Sequence, residues 1–362
     1  MFPHQVDLAK WALRRGRAAI FADTGLGKSR MQLAWADTVR RVTGRDVLIL
    51  APLAVAQQTV EEGAKIGVSV THARESSDVH PGVNITNYDR VHKFDPSRFG
   101  AVVLDESSII KHHAAKTLQT LLEMFRYTPF KFRYTPFKLA CTATPSPNDW
   151  TELGNHAEFL GVRSRAEMLA EFFIHDGGDT QTWRLKGHAR HIFWQWVSSW
   201  GAMLRSPADL GHDASAYVLP KLHVHQHIIE IAHKPENGLI PMEAQTLTER
   251  RNARRESLVD RVRACAEIVN SCAEIVNSSA GTWIVWCDLN DEGNALESAI
   301  PDSVQVAGCD TEEFKEKTML EFAHGKIRVL VSKPSICGFG LNFQAATNQA
   351  FVGVTDSFEK YY

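Results

Sequence analysis

The stretch RAAIFADTGLGKSRMQLAW, residues 17–35, decides how this chain is read. RAAIFA is a compact apolar run of strand length, and MQLAW continues into a helical pattern that reaches Gly44. Between them lies ADTGLGKS. A phosphate cradle needs successive backbone N–H groups turned inward, a helix N-terminus behind them, and then a lysine and a hydroxyl. Thr24, Gly25, Leu26 and Gly27 supply the turn, while Lys28 and Ser29 open the helix. Ala22 stands where such loops begin with glycine, but it still belongs to the strand, where a methyl group is tolerated.

A loop of this kind needs an acid that holds magnesium. AVVLDESS, residues 101–108, places Asp105 and Glu106 at the end of an apolar strand. The expectation is Ser29 and Asp105 on Mg²⁺, with Glu106 as the base that deprotonates an attacking water. The bland reading of the acids, a polar pair capping a strand, does not account for the lysine, serine and aspartate together.

Further strands are expected at VLILAP, IGVSV, GVNIT and KLACTAT, with helices at HQVDLAKWALRRG and, after VLILAP, through about Lys65. Short apolar strands alternating with helices predict a mostly parallel sheet covered on both faces. The expected division is a first domain over 1–160, a helical spacer over 161–215 and a second α/β domain over 216–362. The spacer is rich in tryptophan (Trp183, Trp194, Trp196, Trp200), a spacing read as core rather than as a base-stacking platform. YVLPKLHVHQHIIEIAHK reads as extended, which places His223, His225 and His227 on one face. A long helix is expected from Met242 to Asn277, then strands at TWIVW, SVQVAG, IRVLVS and QAFVGV around the helix TEEFKEKTMLEFAHG.

The 362 residues carry 40 basic and 42 acidic groups, with 44% hydrophobic residues, an ordinary globular composition. No apolar run approaches the length of a membrane span, and MFPHQVDLAK has no signal-peptide pattern. The six cysteines show no CxxC, from which a reducing, cytoplasmic compartment without disulfides or zinc is expected. Arginines cluster at 14, 15 and 17 and along 250–263, either as solvated helix faces or as nucleic-acid contacts. FRYTPFK occurs twice in tandem at 125–138 and CAEIVNS twice at 265–278. The first is expected to loop out. The second keeps its helical face nearly in phase, because seven residues are close to two turns.

Taken together, these motifs resemble a superfamily two helicase or translocase of the DEAD/DEAH-box-like phage or prophage sort, related to the chromatin-remodeller ATPases. The resemblance covers nearly the whole chain and implies two RecA-like P-loop NTPase domains, ATP with Mg²⁺, and a nucleic-acid partner, DNA ahead of RNA. PHQ resembles the adenine-reading segment, with Gln5 as the reader. ADTGLGKS is similar to the first motif and DESS to the second. APLAVAQQ looks like a segment that touches the nucleic-acid backbone, through Gln57. CTATPSPND carries Thr142 and Thr144, which in the family couple hydrolysis to domain movement. SKPSICGFGLNFQ resembles the fifth motif, implying a nucleotide-side role for Gly340 and nucleic-acid contacts for Asn342 and Gln344. Arg254 and Arg255 are added as nucleic-acid contacts from the arginine helix. Lys28, Asp105 and Glu106 form the implied catalytic set.

Two departures stand out. Ser107 and Ser108 follow the acids where relatives often carry Ala-His or Ala-Asp, which weakens the implied link from the second motif to the second domain. The arginine-rich sixth motif is expected just beyond SFEKYY, so the chain is read as ending early and turning over slowly. The expected activity is ATP-dependent movement of a monomer on DNA. The alternative is an ATP-gated or non-motor nucleic-acid-binding module.

Overall fold

The structure is a computed structural model and describes residues 1–53, 55–125, 135–176, 179–229, 246–275, 281–338, 340–341 and 343–353. The chain divides into two compact units, Met1–Leu219 and Pro220–Tyr362.

The first unit opens with α1 (Pro3–Arg15), closed by Gly16, whose N–H bonds the Ala12 carbonyl. Then come β1 (Arg17–Ala22), α2 (Lys28–Thr43), β2 (Asp46–Ala51), α3 (Val55–Lys65), β3 (Val70–His72), β4 (Val83–Asn87) and β5 (Phe99–Asp105). They are followed by α4 (Lys116–Phe125), β6 (Phe137–Cys141), α5 (Leu153–Leu160), α6 (Arg165–Phe172), β7 (Phe173–Asp176), β8 (Asp179–Leu185), α7 (Arg190–Ser198) and β9 (Gly201–Leu204). Seven strands form one sheet in the order β3-β4-β2-β5-β6-β1-β9, and every pairing in it is parallel.

The apolar runs explain the sheet. β5 is buried along its whole length and β2 along all but its first residue, as strands covered on both faces must be. Phe21, Leu48, Leu104 and Phe159 join one core cluster. Each such side chain contributes about 1.5–3 kcal/mol on burial.

Residues 161–215 depart from the expected helical spacer. They hold the antiparallel hairpin β7–β8 as well as α6 and α7, and β9 adds to the first sheet beside β1. GAML is too short and too mixed to announce a strand; its pairing partner, Ala19–Ala22, defines it. Trp200 is buried, and Trp183, Trp194 and Trp196 pack against the same core.

The second unit contains α8 (Leu247–Glu256), α9 (Leu258–Ile275), β10 (Trp283–Trp286), α10 (Asn290–Ala299), β11 (Ser303–Val306), α11 (Glu312–Ala323), β12 (Val329–Ser332), α12 (Pro334–Cys337) and β13 (Asn348–Phe351). Its four strands pair in parallel in the order β11-β12-β10-β13. Both units are therefore α/β with parallel sheets, the architecture expected of tandem RecA-like domains.

Two expectations change here. The single long helix is broken at Ser257, whose hydroxyl bonds the Ala253 carbonyl while the Arg261 side chain takes the Arg254 carbonyl and the Ser257 hydroxyl. Side-chain donors there add to backbone bonds from the Ser257 amide to Ala253 and from the Arg261 amide to Ser257. Residues 218–229 form no strand: this segment lies exposed, without sheet partners, and His223, His225 and His227 share no ladder. Among the described residues, no group of three or more His, Cys, Asp or Glu side chains is placed to hold a metal ion. Most of the FRYTPFK duplication lies outside the described residues. The CAEIVNS duplication runs through α9 as far as Ile275.

Candidate nucleotide site

The seven-stranded sheet brings three of its strand ends together. β6 lies between β1 and β5, so the loop after β1, the threonine after β6 and the acids after β5 meet at the carboxyl edge. In open parallel sheets that edge is where ligands bind.

The loop turns at Gly25 (φ +78°) and Gly27 (φ +82°), both in the left-handed region that favours glycine. A Cβ on Gly25 would meet nothing within 4 Å, so this side of the loop is open. A Cβ on Gly27 would lie 2.3 Å from Gln5 Nε2, so a side chain there would displace the Gln5 amide. Gln5 is buried; its Nε2 donates to the Leu26 carbonyl at 3.1 Å and its Oε1 accepts from the Phe2 amide at 3.1 Å. It therefore braces the loop. His4 Nε2 lies 3.3 Å from the same carbonyl. α2 begins at Lys28, so the amides of Lys28 and Ser29 have no carbonyl one turn earlier in the helix to accept them. Lys28 Nζ donates to the Ala22 carbonyl at 3.1 Å, folding the ammonium back under the loop. Thr24 is exposed and its amide donates to Asp23 Oδ1 at 2.7 Å.

The acids are held from several sides. Gln32, on α2, donates to Asp105 Oδ1 at 2.6 Å, and the Tyr88 hydroxyl donates to the Asp105 carbonyl at 2.6 Å. Burial raises the Asp105 carboxyl, against the Gln32 hydrogen bond and the nearby Lys28 ammonium, which lower it. Glu106 takes a left-handed conformation (φ +49°), rare outside glycine, and accepts from Thr142 Oγ1 at 3.2 Å. Burial first, and the neighbouring Asp105 second, push its carboxyl up to about 7. The Thr142 hydroxyl also accepts from the Thr144 amide at 3.1 Å. The loop, Asp105, Glu106, Thr142 and Thr144 thus form one connected site.

The oxygens fit a magnesium nucleotide. A serine hydroxyl in the first turn of α2 and the buried Asp105 carboxylate are both hard oxygen donors, and magnesium on phosphates needs one or two carboxylates rather than a full protein cage. The open side at Gly25 leaves room for the phosphates.

Other expected residues lie elsewhere. Gln57 is half-buried on α3. In the second unit Gly340 has φ +73° and Gln344 is exposed, while Asn342 lies outside the described residues. Arg254 pairs with Asp288 at 2.9 Å, whereas Arg255 is exposed. Arg328 is tied to the Pro301 carbonyl at 2.7 Å. Sequence reasoning missed Gln32, Tyr88 and His156. No motif marks them, since Gln32 and Tyr88 reach Asp105, and His156 reaches Ser107, only through the folded sheet.

No family model and no curated protein matches this chain. Among solved structures, it is similar to the Sulfolobus solfataricus SWI2/SNF2 ATPase core in complex with dsDNA. That match has 14% identity and a TM-score of 0.49, covering 97% of this chain and 81% of the other. It is also similar to the Sulfolobus solfataricus SWI2/SNF2 ATPase core domain, at 15% identity and a TM-score of 0.46, over 97% of this chain and 79% of the other.

Proposed function

We propose that the first unit binds ATP with Mg²⁺ and hydrolyses it, and that the chain couples this turnover to movement on nucleic acid, DNA ahead of RNA. The observation that carries the reading is the meeting of a glycine loop, the helix start that bears Lys28 and Ser29, the buried Asp105 and the half-buried Glu106 at one sheet edge. In this reading the loop amides and Lys28 hold the phosphates, and Ser29 and Asp105 hold the metal. The metal, when bound, neutralises charge on the β- and γ-phosphates. Glu106 takes a proton from water as the water oxygen bonds to the γ-phosphorus and the bond to the β-phosphate oxygen breaks. A carboxyl held near 7 suits that role, because a base is most effective when its pKa lies close to the working pH. Thr142 reports the state of Glu106 to the segment that follows β6. Motion on DNA is supported by the resemblance of APLAVAQQ and SKPSICGFGLNFQ to nucleic-acid-contacting motifs.

The test is an ATPase assay with and without DNA, paired with binding of a fluorescent ATP analogue. The expected result is turnover that DNA stimulates, and loss of nucleotide binding by about 100-fold or more in Lys28→Ala, which removes the charge on the phosphates. Retained affinity in that variant would overturn the loop assignment. Salt-dependent DNA binding indifferent to ATP, with no turnover, would replace the motor by a non-motor binding module.

A further inference from the structure

The serines after the acids are tied inward. Ser107 Oγ lies 3.1 Å from His156 Nε2, and both residues are fully buried. His156 sits on α5, its ring nearly perpendicular to that of Phe21, centroids 5.3 Å apart. Its neighbour Asn155 donates through Nδ2 to the carbonyls of Ile110 at 3.0 Å and Lys111 at 2.6 Å. One turn of α5 therefore grips both ends of the turn that follows Glu106.

The grip continues from the other side. Thr142 bonds Glu106, and Asn148 Nδ2 donates to Glu152 Oε1 at 2.8 Å, joining the segment after β6 to the start of α5. At the far end of α5, the buried Lys138 donates to the Phe159 carbonyl at 2.7 Å. Thus residues 142–156 hold two successive residues, Glu106 and Ser107, and the left-handed Glu106 stands between fixed points. A phenyl ring at 156 would fill the same space without the cost of burying polar nitrogens. What the imidazole adds is polar contact: its Nε2 with the Ser107 hydroxyl, and the ring with the backbone of Glu152 and Ser107.

We propose that His156 is a positioning residue for hydrolysis: through Ser107 it holds Glu106 in the one backbone conformation from which its carboxylate faces the nucleotide site. The inference rests on the ATPase reading above. It gives Ser107 a partner inside the first unit, where the sequence had suggested only a weakened link.

The experiment compares His156→Phe, Ser107→Ala, the double variant and His156→Gln, whose amide reaches toward the position of Nε2. Expected for the first two is a kcat lower by about 10- to 100-fold, the scale of a misplacement near 1 Å, with affinity for the ATP analogue unchanged. The double variant should fall no further than either single one, because one interaction is removed in all three. His156→Gln should recover most of the rate. Hydrogen exchange, which needs no turnover, should show faster exchange at amides 106–111 in His156→Phe, with the other sheet amides unaltered. Full kcat in His156→Phe would overturn the proposal. So would joint loss of kcat, affinity and thermal midpoint, or a His156→Gln variant as slow as His156→Phe. If the unchanged chain binds no nucleotide, the functional reading fails, and the exchange pattern alone then decides whether His156 fixes the turn.

Discussion

Each unit buries acids at the carboxyl edge of a parallel sheet, yet the two edges treat them in opposite ways. In the first, Asp105 and Glu106 lie side by side, raised by burial, and Glu106 is raised further by its neighbour; the Lys28 ammonium is turned back onto a backbone carbonyl. In the second, Glu292 is fully buried but accepts from the Asp288 and Leu289 amides, at 2.8 and 3.0 Å, and pairs with Arg261. Arg254 pairs with Asp288 beside it. One edge leaves its acids under-compensated, and the other satisfies them. Under-compensated burial holds a group ready for a ligand or a proton, whereas a completed pair fixes structure.

The sharpest way to break this contrast is Glu106→Gln. Hydrolysis should fall by about 10²–10⁴-fold, the usual contribution of a positioned base, while the ATP analogue still binds. The unchanged chain should hydrolyse faster as pH rises through about 7, since Glu106 accepts a proton only when ionised and its raised pKa moves that transition up. Glu106→Gln should lack that rising limb, and a pH profile in which both keep it would assign the base elsewhere. Next in size, Glu292→Ala should destabilise the second unit by about 3–5 kcal/mol, since the half-buried Arg261 loses its carboxylate and the Asp288 and Leu289 amides lose their buried acceptor. Urea unfolding read alongside nucleotide affinity checks this: stability should drop and affinity stay. Lost affinity with intact stability would make Glu292 a functional acid. The smallest effect separates two adjacent arginines. Arg255→Ala should lower the salt dependence of DNA binding by about one unit of slope, leaving stability unaltered. Arg254→Ala should act mainly on stability, and equal salt slopes for the two would remove the distinction.

The strand–loop–helix at 17–43 and the strand ending in Asp105 are legible in the sequence because local rules write them: apolar runs, glycines at the turn, Gly44 at the helix end. The four strands of the second unit are legible for the same reason. β9 is not, because GAML gains its identity only from pairing with β1. At the break at Ser257, Arg261 reaches back to the Arg254 carbonyl, a contact that a helical pattern does not reveal. The motif around Gln5 gives no sign of its second partner, the Leu26 carbonyl of the loop, which only the fold brings to it. His156 is invisible beforehand, since 49 residues separate it from Ser107 and a buried histidine in an apolar helix looks like any core residue.

The placement of β9 bears on how the chain is made. β1, which carries the glycine loop, has β6 and β9 as its two neighbours, and both are synthesised long after it. At ribosomal speeds of 5–20 residues per second, roughly ten seconds or more pass before residues 201–204 emerge to flank it. Through that interval β1 has an open edge, and closing it requires pairings across most of the unit, a topology that folds slowly. The strand that seats the nucleotide loop is therefore among the last to be enclosed, and a nascent chain stalled before residue 201 would expose an apolar strand edge open to chaperones or to a neighbouring copy.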